Sequence, residues 1–188
     1  MNFVQPIRDL EKIVEVRAFL AVRNARNELL FCFGIYTGLR ISDILRIKVK
    51  DVKGKNVFFV KEQKTQKTKK KGSTTKRIPI LATLKKMIDN YVIGLVDEEY
   101  LFKSRQGRNK PITRVRAYDI LREAAHACDL EEIGTHTLRK TFGYHMYQET
   151  KDIALLQDIF NHSAEYITRK YIGINQEAID AAYKKLPY

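Results

Sequence analysis

The stretch NVFFVKEQKTQKTKKKGSTTKRIPI, residues 56–80, changes character twice. NVFFV (56–60) and KRIPI (76–80) are short, rich in β-branched or aromatic residues, and flanked by Gly, Lys and Ser, so both read as strands. Between them lies a polar loop crowded with lysine. Two strands in this order form a β-hairpin with a long basic tip. The patterns on either side are helical, so the expected class is α+β, mostly helical with one small antiparallel sheet.

Upstream, Asp9 can cap a helix through LEKIVEVRAFLAVR, with Leu10, Ile13, Val14, Phe19 and Leu20 as its apolar stripe. A second apolar helix in NELLFCFGIYTG ends near Gly38. LRISDILRIKVKDV then reads as a third, with Leu39, Ile44, Leu45 and Ile47 buried and Arg40, Asp43 and Arg46 on another face. Downstream, LATLKKMIDNYVIGL, ITRVRAYDILREAAHAC, THTLRKTFGYHMYQE with Thr135 as N-cap, and DIALLQDIFN carry helical patterns. INQEAIDAAYKKLPY closes the chain as an amphipathic helix with Ile174, Ala178, Ile179, Ala182 and Leu186 on its apolar side.

Lys and Arg number 35 against 22 Asp and Glu, a net charge of +13 over 188 residues. Such an excess points to a polyanion, because cations that neutralise phosphates release condensed counterions. No basic amphipathic helix with Trp or Phe anchors favours a membrane surface, so nucleic acid is the expected partner. No apolar run is long enough to cross a bilayer and no secretory leader is read at the start, so the protein is expected in the cytoplasm, at the nucleoid when bound to DNA. The two cysteines, Cys32 and Cys128, form no metal-binding or redox motif, and Cys32 reads as a small buried hydrophobe. No carboxylate cluster of the two-metal type is present, so neither a metal nor another cofactor is expected.

In HTLR, His136 and Arg139 lie three positions apart, where a helix projects both to one face. Arg139 offers a planar fork of donors suited to phosphate, and His136 can exchange a proton near neutral pH. The pair alone is no better than a core histidine and a surface arginine. Its weight comes from company: Arg40 after the Thr37-Gly38 turn, the lysine-bearing hairpin, and DIFNHSAEYITRKYIG (158–173), where His162 precedes Tyr171 by nine residues.

This order of basic groups followed by a tyrosine resembles the catalytic domain of tyrosine recombinases, the phage-integrase family. The resemblance runs from about Asn27 to Ile172 and rests on TGLRISDILRIKVKDV, THTLRKTFGYHM and IFNHSAEYITRKYIG. It implies the catalytic-core fold that these enzymes share with type IB topoisomerases. It also implies a reaction: Tyr171 attacks a DNA phosphodiester, forming a 3′-phosphotyrosyl bond and releasing a 5′-hydroxyl, so that rejoining needs no ATP. A free phenol has a pKa of about 10 and is ionised on the order of once in a thousand at neutral pH, so nearby groups must take its proton or favour the phenolate.

By the same resemblance, Arg40 and Arg139 clamp the phosphate oxygens, His136 assists proton transfer at the tyrosine, and His162 hydrogen-bonds the phosphate. A hairpin lysine protonates the leaving oxygen, and Lys64 fits best, with Lys61 and Lys67 as close rivals. Asp43 matches an acidic position that orients Arg40 or His136. Lys61, Lys67, Lys69, Lys70, Lys71 and Lys76 are expected to track DNA phosphates. Tyr166, only four residues after His162, fits the nucleophile's place less well than Tyr171, and Tyr183 and Tyr188 fall in the tail.

The chain departs from the pattern in two places. Few residues precede the first core helix, so residues 1–188 are expected to form one catalytic domain without the separate N-terminal clamp of most members, either as a naturally minimal enzyme or as a fragment of a longer one. Asn161 stands where a glycine is usual, and asparagine tolerates a left-handed backbone better than most residues. Residues 173–188 are expected to form a helix that either docks on a neighbouring protomer or folds back on its own core. The expected partners are duplex DNA, further copies in a tetramer on two sites, and an accessory DNA-bending protein, with integration or excision of a mobile element ahead of dimer resolution. Two alternatives stay open: a topoisomerase that relaxes supercoils as a monomer, and a DNA-binding accessory protein whose site has decayed.

Overall fold

A computed structural model describes residues 4–61, 75–174 and 183–186. Its elements run α1 (Leu10–Arg23), α2 (Ala25–Thr37), α3 (Ile41–Ile44), α4 (Val49–Val52), β1 (Val57–Lys61) and β2 (Thr75–Pro79). There follow α5 (Ala82–Tyr91), α6 (Arg114–Ala127), α7 (Thr137–Thr150), α8 (Ile153–Phe160) and α9 (Glu165–Ile172). The strands pair antiparallel, Val57 opposite Pro79 and Lys61 opposite Thr75, so the expected hairpin and class are both found. Most of its basic tip lies outside the described residues. No helix among the described residues is long and apolar enough to cross a membrane.

Side chains bury in two clusters. The larger gathers α1, α2, α5, α6 and the inner face of the hairpin around Phe33, whose ring centroid lies 5.5 Å from that of Phe58 and 5.8 Å from that of Phe102. Cys32 is inside it, and burial pushes its thiol up to about 12, as its reading as a hydrophobe requires. The smaller cluster, Ile153, Leu156, Phe160, Ile172 and Ile174, packs with Phe142 and Tyr171 among α7, α8 and α9. Helix α7 joins the two: its Leu138 packs so closely on α2 that a Cβ at Gly34 would collide with it.

Three helical expectations need correction. Leu10 and Val14 of α1 are each 66% exposed, while Val16 and Leu20 are buried, because α2 and α6 cover a single side of that helix. LRISDILRIKVKDV is two four-residue turns rather than one helix. Leu45, Ile47 and Val49 are all buried, which i, i+2 spacing cannot achieve on one helical face, so the chain extends at Lys48 and pairs there with Tyr100. Asp43 consequently turns inward while Arg46 is exposed, and the two do not share a face. Finally, His136 and not Thr135 is the N-cap of α7.

Candidate active site

Four chain segments converge on Tyr171. The first is the end of α2, where Gly38 adopts φ 63° and a Cβ would run into the Phe142 ring, so glycine is needed twice over. This turn delivers Arg40 to the N-cap of α3, with Asp43 buried one turn later.

The second is the start of α7. His136 holds helical backbone angles (φ −80°, ψ −18°) and makes no side-chain cap bond, which leaves its ring to other uses. Thr137 supports the turn instead, its hydroxyl accepting from the Gly134 N–H at 3.1 Å. One turn on, Arg139 is almost fully buried at 3% exposure. Its Nη1 donates to the Gly38 carbonyl at 2.7 Å, its Nη2 to the Phe160 carbonyl at 3.0 Å, and its Cζ lies 4.3 Å from the Phe160 ring centroid. One guanidinium therefore ties the ends of α2 and α8 to α7.

The third is the end of α8. Asp152 caps its start by accepting from the Leu155 N–H at 2.9 Å, and Asn161 ends it in the left-handed conformation, φ 53°, as expected for a position where glycine is usual. His162 follows, its Nδ1 3.0 Å from the hydroxyl oxygen of Thr168 and its ring centroid 5.2 Å from that of Tyr171. Thr168 is wholly buried, and nothing in EYITRKY marks it out: its place is fixed by the helical offset that aims it at His162.

The fourth is α9, which carries Tyr171 one residue from its end and stops at Gly173, φ 76°. The Tyr171 oxygen lies 3.2 Å from His136 Nδ1. Burial pushes the phenol above its ordinary value, while Arg139, chiefly, and Arg40 pull it back, so the surroundings hold it protonated yet offer cations to the phenolate. Tyr166, by contrast, is 68% exposed and Tyr183 is 71% exposed.

Arg40, His136, Arg139, His162 and Tyr171 are thus brought together from four separate segments. Of the hairpin lysines, Lys61 is exposed at the end of β1, and Lys76 reaches in from β2 to donate to the Ile159 carbonyl at 2.5 Å. Lys76 lines a cavity of about 260 Å³ with Gly38, Leu39, Ile78, Arg139 and Ile159. Lys64, Lys67, Lys69, Lys70 and Lys71 lie outside the described residues. Among the described residues no cluster of three or more His, Cys, Asp or Glu could hold a metal ion.

The model of the Phage integrase family matches residues 8–178. The chain belongs to this family. Among integrase relatives it is 56% identical to "Probable integrase/recombinase YoeC" of Bacillus subtilis (strain 168), over 98% of this chain and 97% of the relative. It is 30% identical to a protein named tyrosine recombinase of Pseudothermotoga lettingae, over 98% of this chain but 61% of that relative. Its fold is similar to that of the XerH site-specific recombinase bound to a palindromic difH substrate in a post-cleavage complex. That match has a TM-score of 0.74 and 20% identity, and covers 97% of this chain and 53% of the other. The chain therefore spans little more than half the length of two of these proteins and nearly the whole of the first.

Proposed function

We propose that this integrase-family chain is a site-specific DNA recombinase that cuts and rejoins strands through Tyr171. Its oxygen attacks phosphorus, the bond to the 5′-oxygen breaks, and a 3′-phosphotyrosyl link holds the DNA until another 5′-hydroxyl reverses the step. The phenol proton leaves toward His136, and the departing oxygen takes a proton from a hairpin lysine, with Lys64 the proposed donor. Arg40 and Arg139 stabilise the charge on the five-coordinate phosphorus, His162 hydrogen-bonds a phosphate oxygen, and Asp43 orients Arg40 or His136.

The observation that carries this reading is the 3.2 Å approach of His136 Nδ1 to the Tyr171 oxygen beside a buried arginine. A nucleophile with a proton acceptor in reach and a fixed cation alongside is the minimum that phosphoryl transfer to a phenol needs. The +13 charge supports duplex DNA as substrate. The finer reading has the protein acting in the cytoplasm as a tetramer on two DNA sites, aided by a DNA-bending protein, to integrate or excise a mobile element.

The test is capture of a covalent adduct. The protein and Tyr171→Phe are incubated with genomic fragments of the source organism, resolved on a denaturing gel, and the modified peptide is mapped by mass spectrometry. An adduct on Tyr171 that vanishes in the variant is the expected result, and the attached DNA discloses the site. Salt-sensitive DNA binding without any adduct would overturn the reading in favour of a binding protein.

A further inference from the structure

Lys140 follows Arg139 on α7, and its side chain turns toward the nucleophile rather than into solvent. Its Nζ lies 5.4 Å from the centroid of the Tyr171 ring, inside the range of about 6 Å over which a cation and an aromatic ring attract. The same Nζ donates to the Val4 carbonyl at 2.6 Å. That carbonyl belongs to a segment strapped along α7. The Gln5 N–H donates to the Glu132 carbonyl at 3.0 Å, the Ile7 N–H to the Thr141 hydroxyl at 2.9 Å, and His145 Nε2 to the Ile7 carbonyl at 2.9 Å. The ammonium is thus held at one place relative to the ring.

We propose that Lys140 is a positioning residue for the nucleophile: its ammonium, tethered by the Val4 carbonyl, stabilises the negative charge that develops on the Tyr171 phenol as it attacks phosphorus. The inference rests on Tyr171 being that nucleophile. A neutral phenol offers a nearby cation only its ring quadrupole, whereas a phenolate spreads charge from oxygen into the ring. The attraction therefore strengthens between ground state and transition state, which is the condition for accelerating the chemical step.

Among the described residues, the titratable and charged groups facing Tyr171 are Arg40 at the start of α3, His136, Arg139 and Lys140 of α7, and His162 after α8. Facing Lys140 are Arg8 of the strap and Glu132 before α7. Burial, chiefly, and the Arg8 cation hold Lys140 below the usual lysine value, against Glu132. Its charge is lost as pH rises through that lowered value.

The probe is the duplex recovered in the Tyr171 adduct, resynthesised with a nick beside the cleaved phosphate so that the released fragment diffuses away and adduct accumulates. At pH 7, Lys140→Met is expected to form adduct about tenfold more slowly, with DNA retention unchanged, and Lys140→Arg to remain within about threefold of the parent. As pH rises, the parent loses its ammonium and the ratio of parent to Lys140→Met rates narrows toward one. A role confined to holding the strap would leave that ratio independent of pH. Lys140→Gln keeps a donor for the Val4 carbonyl while removing the charge, so it carries the comparison if Lys140→Met melts. Equal rates at pH 7, or a constant ratio across pH, overturn the inference alone. Failure of the parent to form any adduct on Tyr171 overturns the nucleophile reading and this inference with it.

Discussion

The Tyr171 hydroxyl sits 3.2 Å from His136 Nδ1 although 35 residues separate the two in sequence. Their helices meet because Gly143 leaves room for it. A Cβ there would come within 2.6 Å of Ile172 and 2.7 Å of Phe160, the two side chains that flank the tyrosine in the fold.

Replacing His136 by Ala removes the nearest proton acceptor and leaves the rest of the constellation in place. General acid–base groups contribute about 10²- to 10⁴-fold. The expected result is a loss of adduct formation of about a hundredfold or more, with retention on DNA at fixed salt unchanged. His136→Ala cleaving at the parent rate would remove the histidine from the proposed reaction.

Gly143→Ala is expected to cost about 2 kcal/mol or more, because the new methyl meets packed aliphatic and aromatic carbon rather than the free end of a flexible chain. Relief requires α9 to move away from α7, which carries Tyr171 away from His136. Urea unfolding should therefore show lower stability, and the folded fraction should form adduct more slowly. A stable variant with full activity would show that the seam has slack.

Much of this arrangement was legible in the residues, and the exceptions have physical reasons. The helix start at Asp9 announces itself because a side-chain carboxylate accepts a backbone N–H there, a local interaction that local sequence encodes. The left-handed turns at Gly38 and Asn161 were legible for the same reason. The break within LRISDILRIKVKDV was not, since it depends on which neighbours bury Leu45, Ile47 and Val49 together. Likewise, Arg139 could be nominated from HTLR, but its bonds to the Gly38 and Phe160 carbonyls join residues 101 and 21 positions away. Thr168 and Lys140 carried no signal, because each matters through a contact with a ring on another segment.

The phenol of Tyr171 also makes a pH prediction. Its folded value lies above the ordinary 10.0 because burial disfavours the phenolate. Between the two values the unfolded chain has lost a proton that the folded chain keeps, so stability is full below about pH 10 and falls as pH rises above it. Tyr171→Phe lacks this term. Melting temperatures measured from pH 8 to 11 should fall more steeply for the parent than for the variant. Parallel curves would place the phenol in contact with solvent.

Asn161 tests the turn that separates α8 from His162. At φ 53° glycine carries no Cβ penalty, so Asn161→Gly should change stability by no more than about 0.5 kcal/mol, whereas Asn161→Ala should cost about 1 kcal/mol. Thermal melting of the three proteins decides it, and an alanine variant as stable as the parent would mean that the turn relaxes to another conformation.

Arg139 separates stability from chemistry more sharply than any other position. Arg139→Ala strips the buried carbonyls of Gly38 and Phe160 of their donor and opens a void beside the Phe160 ring, which should cost about 2 to 4 kcal/mol in urea unfolding. Arg139→Lys retains the charge and can serve one carbonyl but not both, because an ammonium lacks the fork that spans them. It should recover a good part of the stability. In the proposed reaction the same fork stabilises the phosphorane, and losing one preorganised donor of that kind costs about 10²- to 10³-fold. Arg139→Lys is therefore expected to fold and retain DNA yet form adduct at least a hundredfold more slowly. If its activity instead tracked its stability, the arginine would be a structural tie between α2, α7 and α8 and nothing more.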